Sequence, residues 1–224
     1  GGMLAWHRHE MMFGFAVAIV AGFLLTAVQN WTATPGLTGR PLALLAGLWL
    51  AARLLWLVDT PLWLLIPVDA AFLPLTALAV GRQIVSVKQT RNYPVPGLLL
   101  LMAAANGLTL TGLALGDDDW QRQGVHAGLW LVAAMMGLIG GRVIPFFTQR
   151  GLLRQTQAPA ILALDRTAMA SAVLVAVLTA LGFSLTPAPW MAAVFVVMGT
   201  STLIRLARWY DHGIWSVPLL WSLH

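Results

Sequence analysis

Apolar residues run along this chain in long blocks, without the strict alternation of a half-buried strand. Blocks near the roughly 20 residues that a helix needs to cross a bilayer occupy 11–28, 41–58, 62–81, 95–115, 125–146, 167–186 and 189–206, and another opens near 214. Between them lie "TATPGLTGRP", "NYPVPG" and "TPAP", which is turn chemistry. The pattern predicts an all-α, polytopic transmembrane helix bundle: about seven complete spans plus the start of an eighth, in a single transmembrane domain over 1–224. Connections this short make consecutive helices antiparallel neighbours. The opening Gly1-Gly2-Met3 has no basic signal-peptide region, so the first block is expected to stay as a span. The closing "IWSVPLLWSLH" would rise only about 16 Å as a helix, against a core of about 30 Å. The chain therefore reads as a piece of something longer.

Composition turns that pattern into a near necessity. With 59% hydrophobic and 9% charged residues and a mean hydropathy of +0.79, there is too little charge to coat a soluble domain. A formal charge of +5 and a pI near 11.1 would suggest nucleic acid in a soluble protein. Here nearly all the bases fall in short connections, with Arg53 and Arg142 inside spans, and no basic-aromatic surface, P-loop or dinucleotide fingerprint is present. Arg40, Arg82, Lys88, Arg91, Arg150, Arg154, Arg166, Arg205 and Arg208 lie on the side reached after the first span, against Arg8 and Arg122 on the other. That bias places the chain's start outside and the arginine-rich connections in the cytoplasm. Trp31, Trp56, Trp63, Trp120, Trp190 and Trp209 stand near span ends, as an aromatic belt does.

The chain has no cysteine, so a metal must be held by His, Met, Glu, Asp or backbone oxygen. "HRHEMMFGF" at 7–15 concentrates such groups. His7 and His9 share one leaflet with His126, whereas His212 lies on the other side and His224 near mid-membrane. Residues two apart on a helix point about 200° from each other, which argues against His7 and His9 sharing one metal. Helical spacing pairs His7 with Met11 and His9 with Met12 or Phe13. Imidazole with thioether favours haem or copper over structural zinc, and Glu10 is placed to orient a histidine through its other ring nitrogen. The competing reading is a polar rim beside two lipid-facing methionines.

Charges inside spans are costly. Arg53 and Asp69 fall at matching depths in spans two and three and are expected to neutralise one another, either to fix packing or as part of a proton path or a propionate clamp. Arg142 stands among Gly137, Gly140, Gly141 and Pro145, either snorkelling to the interface or closing on Asp165. Asn106 is expected to bond across to a neighbouring helix, with Asn30 and Thr32 as further polar candidates. "GDDDW" at 116–120 lacks the alternating ligands of a calcium loop and reads as an exposed outer loop.

The segments "HRHEMMFGFAVAIVAGFLLTAVQNWT", "LWLAARL", "DAAFLPL" and "LIGGRVIPFFT", followed by "ALDR", resemble the NnrS family in order and spacing. The resemblance implies a polytopic bacterial inner-membrane protein that contains haem and copper and is tied to denitrification and nitric oxide stress. It also implies a chain nearly twice as long, with an opening helix and several closing ones beyond these. The family's histidines at the start of span one match His7 and His9, the expected metal ligands. His126, added by depth, would share a haem with His9, while His7 and Met11 form a weaker copper pair and Arg53 a propionate partner. Gln29 and Ala33 depart from the pattern, which has proline and glycine there. The alternative is a transporter or permease with a path lined by Arg53, Asp69, Asn106 and Arg142.

Overall fold

A computed structural model describes residues 2–156, 159–186 and 188–223; His224 lies outside them. Seven helices are long and apolar enough to cross a membrane: α1 (Met3–Thr32), α2 (Gly39–Leu57), α3 (Leu62–Ser86), α4 (Pro94–Leu115), α5 (Asp118–Gly151), α6 (Leu162–Ala180) and α7 (Pro189–Trp209). A four-residue α8 (Pro218–Trp221) follows a 3-10 turn. No strand occurs among the described residues. The chain is an all-α helical bundle of a multi-pass membrane protein.

From α2 onward each helix packs on the next, while α1 lies against α3 and α5. This central place buries Val17, Leu24 and Val28 of α1 in one core with Val80, Ile84, Leu99 and Met102. The α4–α5 crossing is tighter than any side chain allows. A Cβ added at Gly124 would stand 2.6 Å from the Ala105 carbonyl, and one at Gly112 2.7 Å from the Gln121 nitrogen. Small residues at such crossings let backbones approach and add dispersion contacts where lipid supplies no hydrophobic drive. By contrast α2 is peripheral, with only Leu45 and Ala52 buried.

The two helices that start furthest ahead of their apolar blocks are α5 and α1. The α5 helix begins at Asp118 because the Asp117 carboxylate caps it, accepting from the Trp120 N–H at 3.0 Å, with Asp118 and Asp119 in the first turn. Acidic residues there complement the positive end of the helix dipole. "GDDDW" is thus a helix start with exposed acids. The α1 helix begins at Met3, so His7, His9 and Glu10 are helical residues. It ends at Ala33, whose φ of +52° is the left-handed conformation in which glycine is favoured.

Candidate metal centre

The first span does not stay regular. After His9 it widens into a π-helical stretch, Glu10–Ala16, and the Val17 N–H reaches five residues back to the Met12 carbonyl. Such bulges shift the helical register, and so re-aim the residues before them relative to those after. The Trp49 indole of α2 donates to the Gly14 carbonyl at 3.0 Å, tying the widened turn to α2. Arg53 and Trp56 follow Trp49 at spacings of four and three, on the same face of α2.

His9 is thereby turned inward and is 1% exposed. Its Nε2 lies 3.0 Å from the Asn106 Oδ1 of α4 and 3.3 Å from the Asp69 Oδ1 of α3, and its Nδ1 lies 3.4 Å from the Glu10 Oε1. The Trp56 and Phe13 rings pack on the imidazole with centroids 4.6 and 5.5 Å away. Asp69 is the hub. Its Oδ1 accepts from the Asn106 amide at 2.9 Å, and its Oδ2 accepts from the Trp56 indole at 3.0 Å and from the Arg53 guanidinium. The Arg53 Nε also faces the Glu10 Oε2 at 3.3 Å. Gly14 makes this possible: a Cβ there would stand 2.6 Å from the Glu10 carboxylate and 2.8 Å from the Arg53 guanidinium.

Four helices therefore converge on one closed polar cluster in an apolar bundle. Two carboxylates face one guanidinium and one imidazole there. Ligand atoms of His9, Glu10 and Asp69 all lie within 4.8 Å of one another, a geometry that one cation can bridge. The Arg53 Nη1 is buried without a hydrogen-bond partner, so the guanidinium is held mainly by its carboxylates.

Of the expected site residues, His9 and Arg53 belong to this cluster, together with Asp69, Asn106 and Glu10. His7, Met11 and His126 do not. His7 and His126 are exposed, and Met11 is 50% exposed. His212 lies at the opposite end, its Nδ1 3.3 Å from the Tyr210 hydroxyl. The Arg53–Asp69 pair and the cross-helix bond of Asn106 are present as expected.

Arg142 does not close on Asp165. It donates to the Asn92 side-chain oxygen and to the Arg91 carbonyl, while Asp165 faces the Arg205 Nε at 2.8 Å. The reason is directional, since Arg142 points at the start of α4 and Asp165 at α7. From sequence Trp56 reads as belt, and Trp49 and Gly14 carry no polar or charged mark that would single them out. The Trp49–Arg53–Trp56 spacing was the available signal.

The sequence model of a protein family, NnrS, described as NnrS protein, matches residues 1–224. No curated protein and no solved structure matches the chain.

Proposed function

The chain belongs to the NnrS family, and on that premise we propose that it is a copper- and haem-binding inner-membrane protein acting in nitric oxide metabolism or protection from nitrosative stress. The observation that carries the copper assignment is the buried imidazole between two carboxylates, His9 with Glu10 and Asp69. Nitrogen with oxygen donors suits Cu(II), whereas Cu(I) prefers the thioether of Met11, which faces outward. His9 and Asp69 would hold the ion from two helices, with Glu10 closing the third position. Copper held there supplies one-electron chemistry and a coordination site for a small gas. Asn106 fixes the imidazole and carboxylate relative to one another, Arg53 limits the negative charge that the cluster would otherwise carry, and Trp56 with Phe13 excludes water. Such outer partners tune ligands nearly as much as the ligands themselves.

In this reading haem is not held by His9. Its Nε2 is shared by Asn106 and Asp69, and Trp56 packs on the ring, which favours a small ion there over a porphyrin. His7 and His126, exposed near the same end of the bundle and without hydrogen-bond partners among the described residues, are the haem ligands in this reading. The test is copper and haem per chain in protein purified from membranes. His9→Ala should lose copper and keep the visible haem band; His126→Ala should do the reverse; His212→Ala should change neither. Full copper in a His9→Ala protein that elutes and melts like the parent sinks the assignment.

A further inference from the structure

At the opposite end of the bundle a cavity of about 990 Å³ opens where α1 ends, α4 and α6 begin, and α5 and α7 finish. Four arginines line it, Arg91, Arg142, Arg205 and Arg208, with a single acid, Asp165, among the described wall residues. What holds these guanidiniums matters. Arg142 donates to the Asn92 amide oxygen and the Arg91 carbonyl, Arg208 to the Pro159 carbonyl at 3.1 Å, and Arg205 to the Gly137 carbonyl at 3.0 Å. Each of these acceptors is neutral. They orient the arginines without cancelling their charge, and only Asp165, 2.8 Å from Arg205, offers a countercharge.

Burial sharpens the imbalance. Arg205 is 7% exposed; it crosses α5 where Gly141 leaves no Cβ in its way, and its guanidinium lies over Trp209, 5.0 Å from the ring centroid. Arg142 likewise lies 5.9 Å from the Trp31 ring. Elsewhere a partly buried arginine meets carboxylates, as Arg53 meets Asp69 and Glu10, while Arg40, Arg82 and Arg166 are exposed to solvent or headgroups. Arg142 is thus partly buried with no carboxylate beside it, and Arg91 and Arg208, exposed at the cavity, add two more positive charges to a wall whose one described acid already faces Arg205, so the cavity attracts an anion.

We infer that this cavity binds a phosphate group, carried either by an anionic lipid headgroup or by a soluble phosphorylated molecule. Guanidinium forks match phosphate oxygens two at a time, and basic pockets between membrane helices are the setting in which lipid phosphates bind. The volume exceeds what a bare phosphate fills, and the walls of Trp31, Trp209, Phe146 and Phe147 suit the apolar part of a larger anion. No histidine, methionine or tyrosine lines the described wall, so it offers no ligand to a haem iron.

The test uses the purified chain in phosphatidylcholine nanodiscs. Thermal melting is followed while phosphatidylglycerol replaces part of the lipid or, separately, while inorganic phosphate is titrated. Phosphatidylglycerol, phosphate or both should raise the melting temperature, and which of them does so identifies the source. Arg91→Gln with Arg208→Gln, both exposed and dispensable for the core, should weaken the apparent affinity at least about tenfold, the loss of one charge-assisted contact. Arg40→Gln with Arg82→Gln removes the same charge outside the cavity and should leave the affinity within about twofold. Equal weakening by the two double variants would reduce the effect to general surface charge and overturn the inference. No shift with either anion would overturn it as well.

Discussion

The two polar regions of this bundle are built on opposite accounts of charge. Around His9, Glu10 and Asp69 outnumber Arg53, and Asp69 receives donors from three side chains besides the imidazole beside it. Around the cavity, four guanidiniums stand with one carboxylate, which faces Arg205, and three of the four rest on backbone and amide oxygens. The first region is closed, and its partners lie on α1, α2, α3 and α4. The second is open, and it borrows the far ends of α1 and α4 together with α5, α6 and α7. In a chain with so few charges, where a charge sits matters more than how many there are. One end gathers carboxylates and the other guanidiniums, with α1 running between the two.

Removing one charge from each region should break this symmetry most visibly. Asp69→Ala strands Arg53, Trp56, Asn106 and His9 without their common acceptor, and the expected cost is about 3–5 kcal/mol. Arg208→Gln, in neutral lipid, should fall within about 0.5 kcal/mol of the parent, because an exposed surplus charge has nothing to lose. Denaturant unfolding in mixed micelles reads both. Equal destabilisation would mean that the cavity arginines are structural and that the contrast is false. A milder pair sharpens the closed region alone. Gly14→Ala forces a methyl against the Glu10 and Arg53 head groups, an overpacking worth about 1–3 kcal/mol, whereas Gly47→Ala on α2 meets nothing within 4 Å and should be neutral or slightly stabilising. A neutral Gly14→Ala would show that the carboxylate and guanidinium can move apart freely.

Much of the bundle was legible in the sequence because membrane spans announce themselves by length and hydropathy. The seven blocks correspond to α1 through α7, with errors at the ends where polar residues are helical: Arg8 to Glu10 in α1, and Gln121 and Gln123 in α5. The Arg53–Asp69 pair was legible from depth, since an unpaired intramembrane charge is too costly to leave alone. The joining of His9 to that pair was not. It depends on the π-helical turn at Glu10–Ala16, which has no periodic signature, and on α1 lying against α3 and α5 while α2 stays at the edge. Depth alone likewise grouped His126 with His9, because two residues at one level on different helices need not face each other. The cavity stayed hidden for a similar reason. Its arginines come from three separate stretches, at Arg91, at Arg142 and over Arg205 to Arg208, each of which reads locally as anchoring or snorkelling charge.

The smallest expected effect lies beside the cavity but outside its wall. Arg154, after α5, donates to both oxygens of Asp211, after α7, at 2.9 Å each, and the Gly213 N–H caps the same carboxylate at 2.8 Å. The Arg154 guanidinium first, and the Gly213 N–H second, hold the Asp211 carboxyl below the usual carboxylate range. A carboxyl whose folded pKa lies below its unfolded value stabilises the fold above the unfolded value, and that contribution is lost as pH falls through the folded one. The tie should therefore be intact from neutral to mildly acid solution and loosen only below about pH 4. Hydrogen exchange across 150–156 in the purified protein reads it directly. Protection should be flat above that point and reduced at every pH in Asp211→Asn, by a small amount because exposed pairs are screened. Loosening that begins well above about pH 4 would show that the Asp211 carboxylate is not the group that holds the tie.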